Sequence, residues 1–369
     1  MPGGQEEGSA VSDAEVKSGR APAVSVILAS YNAGPWISAA LDSIVHAVQR
    51  TAWTVELVVV DDGSTDDTAA VLRDYRDSCP IPMRVVSQPN SGRFMAFYAA
   101  AAEASGERVL IMGDRMRLQP DAFEYLERVD PELPEGQVWN GHVPTAPDGP
   151  LVSRFWEVPL HIFWGSYLAD PRPTQITEEN FDRVPKGTGS LLIGRQLFLE
   201  ACKAVWPEDN AALVSDDTKL LRYVITRRPM RLDPGFGAIY VPRVTVNSFL
   251  SHAFTRGTLF VDSYAGTSAL RNLVLVGLSI LPIAYVLALL IALPIGGGGL
   301  LLVLVALGVL GLLAPAGVAA LRRAPARAIV SYLTYVVPFG AVFWAGLVRG
   351  VFVHRRAFAR ARKETVNTQ

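Results

Sequence analysis

Apolar positions in the first third of the chain fall into short unbroken runs, separated by segments in which they recur at helical spacing. Residues 23–29 (AVSVILA) and 55–60 (VELVVV) lack the regular alternation of a half-exposed strand, and predict strands covered on both faces of a sheet. Between them, residues 36–49 place Ile37, Leu41, Ile44 and Val45 on one helical face. The same reading predicts a helix over 66–78, a strand over 83–86, a turn at Pro89-Asn90-Ser91-Gly92, a helix over 93–104 closed by Ser105-Gly106, and a strand over 109–112. Strands and helices alternating at these lengths predict a doubly wound α/β domain with a mainly parallel sheet. Residues 130–190 are less regular, rich in proline and containing Trp139, Trp156 and Trp164. After them come an apolar run over 189–193, a helix near 196–204, a helix opened by Ser215-Asp216-Asp217-Thr218 and running to about 226, and a last short strand over 238–241.

Three apolar segments follow, at 273–295, 300–321 and 329–353, each near the ~20 residues that a bilayer-spanning helix needs. They account for the positive mean hydropathy, +0.25, of a 369-residue chain whose first 270 residues have an ordinary globular mixture. The expected organisation is a disordered arm over 1–22, a catalytic domain over 23–260 (a nucleotide-binding half, 23–125, and an acceptor half, 126–260), a membrane domain of up to three helices over 261–353, and a basic tail over 354–369. The arm has no apolar core and is not a signal peptide. Cys79 and Cys202 have no spacing that suggests a metal site or a disulfide framework, so a reducing compartment is the simpler reading. The formal net charge of -1 conceals the run HRRAFARARK at 354–363, which favours an anionic membrane surface over nucleic acid. Three full crossings from a cytoplasmic domain would leave this run outside, against the positive-inside tendency; the alternative is that one segment, the third with its Pro338, Gly340, Gly346 and Arg349, does not cross fully.

The second strand stops at Asp61-Asp62-Gly63-Ser64, and in open α/β sheets the ligand crevice lies at the carboxyl ends of the strands. These acids suit a ligand edge, and equally a capped turn. Asp216 and Asp217 suit a general base at a helix start, and equally a plain helix cap. Lys186, flanked by Gly187, suits an anionic group or a solvated turn, and His252 suits an interfacial position ahead of the membrane helices or a catalytic one.

Residues 26–32 (VILASYN), 58–66 (VVVDDGSTD), Asn90-Ser91-Gly92-Arg93 and the surroundings of Asp114 together resemble the family 2 glycosyltransferases, which have the GT-A fold. The resemblance covers about 23–125 well and 185–260 more loosely. It implies that Ser30, Tyr31 and Asn32 lie along the nucleotide of a sugar donor, that Asp61 or Asp62 accepts from the base or ribose, and that Arg93 approaches the diphosphate. The family's Asp-x-Asp, which holds Mg²⁺ or Mn²⁺ on the diphosphate, aligns with Gly113-Asp114-Arg115; Asp114 is the one acid left for a divalent cation, and Arg115 with Arg117 would offer charge neutralisation without metal. Asp216-Asp217 matches the family's acidic pair, with Asp217 favoured as the base of an inverting displacement. His252 and Arg256 stand where processive members carry Gln-x-x-Arg-Trp; the pentad is missing, which argues for single-sugar transfer, with both residues near diphosphate or lipid phosphate. The implied partners are a nucleotide-diphosphate sugar, a lipid-linked or glycan acceptor and the inner membrane, with the catalytic domain cytoplasmic and no nucleic acid. The rival readings are a polyprenyl-phosphate sugar synthase and a non-catalytic nucleotide-sugar-binding scaffold. A nucleotidyltransferase would need a basic Gly-rich loop after the first strand, and residues 30–35 contain no Lys or Arg.

Overall fold

The computed structural model describes residues 23–131, 137–207, 210–215, 217–295 and 297–358, so the arm expected over 1–22, Asp216 and the tail beyond 358 lie outside the described residues. The expected alternation is present: β1 (Val24–Ser30), α1 (Ile37–Val48), β2 (Val55–Asp61), α2 (Thr68–Ser78), β3 (Met83–Ser87), α3 (Arg93–Glu103) and β4 (Arg108–Gly113). β5 (Met116–Leu118), α4 (Ala122–Val129), β6 (Val138–His142), α5 (Glu157–Ala169), β7 (Thr174–Ile176), β8 (Ser190–Gly194), α6 (Arg195–Ala204), α7 (Thr218–Arg227) and β9 (Met230–Tyr240) complete the α/β part. The sheet runs β3-β2-β1-β4-β8-β6-β9-β5, with β7 also on β9. Its first four strands are parallel, whereas β8 is antiparallel to both neighbours and β5 and β7 are antiparallel to β9, so the sheet as a whole is mixed.

Alternate residues of the central strands feed two cores. Ile27, Val58, Val60 and Ile111 meet Phe94 and Phe97 of α3 and Phe198 of α6 on one face. Val26, Leu28, Val59 and Met112 meet Ile37 and Leu41 of α1 and Phe123 of α4 on the other. Burial on both faces is why these strands read as continuous apolar runs. β9 begins at Met230, eight residues before the expected 238, because Arg231, Asp233, Pro234 and Gly235 interrupt its hydrophobic pattern. Asp233 is nonetheless buried, its Oδ2 paired with Arg231 at 2.9 Å.

A helix absent from the sequence reading, α8 (Val246–Tyr264), leads into α9 (Ala269–Ile295), α10 (Gly297–Leu321) and α11 (Ala326–Val353). The last three are long and apolar enough to cross a membrane. α9 and α10 form a hairpin in which the Tyr285 hydroxyl donates to the Leu304 carbonyl at 2.9 Å. The end of α10 returns to the α/β part, where Arg322 donates to the Ile162 carbonyl at 2.5 Å. α11 then runs along α8. Near its start Arg327 donates to the Gly149 carbonyl at 3.2 Å, and just past its end His354 Nδ1 lies 3.7 Å from Asp262 Oδ1 of α8. Asp262 also accepts from the Ser215 N–H at 3.0 Å and from Lys219 of α7 at 2.8 Å, so one end of α11 meets the α/β part directly and the other through Asp262. Glycines let the two helices approach backbone to backbone: a Cβ on Gly257 would overlap the Phe343 carbonyl, and one on Gly346 the Phe254 carbonyl.

Candidate functional site

Strand register puts the sequence-predicted acids on one edge. Ser30 pairs with Asp61, Asp61 with Ser87, and Ala29 with Gly113, so the carboxyl ends of β3, β2, β1 and β4 finish level. β8 enters from the opposite direction, and the Gly113 N–H donates to the Gly189 carbonyl at 3.3 Å. Asn32 has positive φ, 49°, and ties two loops together: its N–H donates to Ser64 Oγ at 2.9 Å and its Oδ1 accepts the Thr65 N–H at 2.8 Å. Tyr31 is 47% exposed beside it, while the Ser30 hydroxyl is buried with no hydrogen-bond partner among the described residues.

The adjacent acids do different work. Asp62 Oδ1 accepts from Gln88 Nε2 at 2.7 Å and from the Ser91 N–H at 2.9 Å, and its Oδ2 accepts from the Gly92 N–H at 2.8 Å. Its carboxylate organises the turn into α3. Asp61 Oδ1 accepts the Ser64 N–H at 3.1 Å across the turn. Gly92, at φ 89°, brings that turn against residues 211–213: a Cβ there would lie 2.5 Å from Ala212 Cα. This contact carries the segment leading to Asp217 over the strand ends. Asp217 caps α7, its Oδ1 accepting from the Thr218 N–H, from Ser215 Oγ at 2.8 Å and from Thr218 Oγ1 at 2.9 Å. Lys186 is half-buried instead of solvated, bonded to the carbonyls of Phe181 and Val184 and 4.1 Å from the Phe181 ring centroid. Burial lowers its ammonium to about 8, against the attraction of Asp182 and Asp217.

Around Asp114 the charge is mostly positive. Asp114 Oδ2 accepts from Trp36 Nε1 at 3.1 Å, and the Arg115 guanidinium lies 3.6 Å over the Trp36 ring. Arg93 Nη2 lies 3.1 Å from where a Cβ of Gly113 would sit. Arg243, which the sequence reading missed, donates to the Tyr240 hydroxyl at 3.3 Å; burial lowers its guanidinium, as do the charges of Arg115 and Arg256, while Asp114 raises it. Arg256 Nε donates to His252 Nε2 at 3.3 Å, so the imidazole is neutral. Burial holds it well below its usual range, reinforced by Arg256, Arg243, Arg115 and Arg93. Arg117 belongs elsewhere, lining a groove with Ala39, Asp42 and His46. A divalent cation at Asp114 does not fit these residues. It would gain one carboxylate, already engaged by an indole, beside the Arg115 guanidinium, which repels a dication. Among the described residues no cluster of three or more His, Cys, Asp or Glu offers another site.

The glycosyl transferase family 2 profile matches residues 25–129, which hold β1 to α4 and the whole parallel edge. Residues 25–129 belong to the glycosyl transferase family 2. The sheet and its flanking helices are the GT-A architecture which the resemblance implies. An uncharacterized glycosyltransferase of Nostoc sp. is 35% identical over 89 residues, 24% of this chain and 27% of that protein. Hyaluronan synthase of Pasteurella multocida is 30% identical over 141 residues, 38% of this chain and 14% of the synthase. The chain thus spans under a third of the length of these relatives. Among solved structures, a mannosyltransferase of Pyrobaculum calidifontis, in complex with GDP-Man and Mn²⁺, aligns with a TM-score of 0.49 at 19% identity, over 90% of this chain and 88% of that one. Arg243 and α8 lie outside the matched segment of the family 2 domain. In sequence, Arg243 is one Arg among the valines and proline of YVPRVTV, and nothing local marks it.

Proposed function

We propose that the protein transfers a sugar from a nucleotide-diphosphate donor, with inversion, to a lipid-linked glycan acceptor at the membrane face. The observation that supports this reading is the level strand ends that carry Asp61, with Asp114 and its arginines beside them; the Asp217 helix start follows the segment packed on Gly92, and three apolar helices come after. Tyr31 and Asp61 would face the nucleoside, the arginines the diphosphate. Asp217 would take the proton of the acceptor hydroxyl as it attacks the anomeric carbon, and the nucleoside diphosphate would leave from the opposite face of the sugar. In this reading residues 23–260 form the catalytic unit, facing the cytoplasm. α8, which carries His252 and Arg256, ends five residues before α9 begins, which would hold the site beside a membrane-borne substrate and raise that substrate's effective concentration.

The test is transfer from radiolabelled nucleotide sugars to a lipid extract by the purified full chain. A labelled lipid product that wild type makes, and Asp217→Asn makes at the background level, supports the reading. Transfer undiminished in Asp217→Asn overturns the base. A panel of donors that gives neither transfer nor donor hydrolysis overturns the activity. A product from which mild acid releases the label as the monosaccharide, and not as a larger saccharide, assigns the acceptor as lipid phosphate and not a glycan.

A further inference from the structure

We infer that this chain holds the donor diphosphate without a metal ion, in a cradle built from Arg115, Arg243 and Arg256 with Arg93 at its rim. The inference rests on the proposed use of a nucleotide-diphosphate donor and addresses how its charge is met. Four separate segments supply the guanidinium groups: the start of α3, the β4–β5 turn, the residues after β9, and α8. Arg93 reaches Gly113, the Val241 N–H ties the segment of Arg243 to Arg115, and Arg256 lies on His252, whose imidazole feels all four charges; this is where two carboxylates would be needed for a cation, and where the chain has Gly113, Asp114 and Arg115 instead.

Each group is positioned by a neighbour. Arg115 is laid flat on Trp36, whose indole N–H also turns Asp114 inward. Its backbone carbonyl accepts the Val241 N–H at 2.8 Å, which anchors the segment bearing Arg243 beside it. Tyr240 steadies Arg243, and the neutral His252 steadies Arg256 by accepting from its Nε. Gathering like charges around one carboxylate costs stability until an anion arrives. A diphosphate provides that anion, and a planar guanidinium bonds its oxygens in pairs. Fixed guanidinium groups also stabilise charge as it accumulates on a departing nucleoside diphosphate, the task that a divalent cation otherwise performs.

The experiment is calorimetric titration of the full chain in detergent, in EDTA, with inorganic pyrophosphate and with UDP, GDP, ADP, CDP and dTDP, then again with Mg²⁺ or Mn²⁺. The expected result is pyrophosphate binding in EDTA that added cation does not tighten. Arg243→Gln and Arg256→Gln should each weaken it about tenfold or more, and Arg117→Gln should leave it unchanged. Arg256 is exposed, so its variant keeps the test valid if Arg243→Gln fails to fold, which a thermal melt reports. Pyrophosphate binding that appears only with cation, or that survives both substitutions undiminished, overturns the cradle. If a nucleoside diphosphate binds but requires cation, the donor reading stands and the cradle falls. If pyrophosphate binds in EDTA and no nucleoside diphosphate does, the cradle stands and the donor reading falls.

Discussion

Asp61 and Asp62 are indistinguishable by type, yet their surroundings give them different consequences. Three donors converge on the buried Asp62 carboxylate, two of them backbone N–H groups of the turn before α3. Asp62→Ala strands all three and should cost about 3 kcal/mol in chemical denaturation; Asp62→Asn, whose amide still accepts on one side, should cost less. Asp217 gives the opposite split. Asn caps a helix about as well as Asp but cannot accept a proton, so Asp217→Asn should leave the melting temperature unchanged while transfer falls by roughly 10² to 10⁴. A parallel loss of stability and activity would point to a cap and nothing more. The acids were legible in the sequence because each follows a strong element signal. Their division of labour was not, because it depends on which backbone N–H groups the fold brings opposite each oxygen.

At the scale of elements, β1 to β4 with their helices were readable because strands covered on both faces must be continuously apolar and their helices keep one apolar face. The turn, helix and strand signals weaken where burial is uneven. α8 shows this: Ser251, His252, Thr255 and Arg256 interrupt its apolar residues, and it is recognisable as a helix only against α11. Its contact depends on small residues. Gly257→Val would drive a branched side chain into the Phe343 carbonyl and should cost about 2 to 3 kcal/mol by overpacking. Gly340→Ala, on α11 and facing open space, should raise the melt slightly, since Ala is the better helix former. Equal effects from the two substitutions would remove the close packing of α8 on α11 as a source of stability.

For the whole molecule, the contacts at both ends of α11 bear on topology. Arg327 reaches Gly149 and His354 reaches Asp262 of α8, so residues 326–354 begin and end beside the segments that flank the α/β part. We expect the hairpin of α9 and α10 to cross and return, with α11 lying along the interface under α8. The basic tail, with Arg355 and Arg356 at its start, would then share the side of the catalytic domain, which removes the conflict with the positive-inside tendency that three crossings create. A C-terminal cysteine tag should accordingly resist a membrane-impermeant maleimide in intact cells and react after permeabilisation. Labelling in intact cells would instead establish a third full crossing.

The sequence alone determined the α/β alternation, the acidic strand end, the acidic helix start and the three apolar segments, because each is written in local periodicity or in adjacent residues. Tertiary structure decided what those pieces mean. It separated Asp61 from Asp62 through the turn that folds over them, gathered Arg93, Arg115, Arg243 and Arg256 from positions up to 163 residues apart, and set the last apolar helix with one end on Gly149 and the other on Asp262 of α8. Local pattern records what a residue does for its own helix or strand; a site built from several segments exists only after they pack.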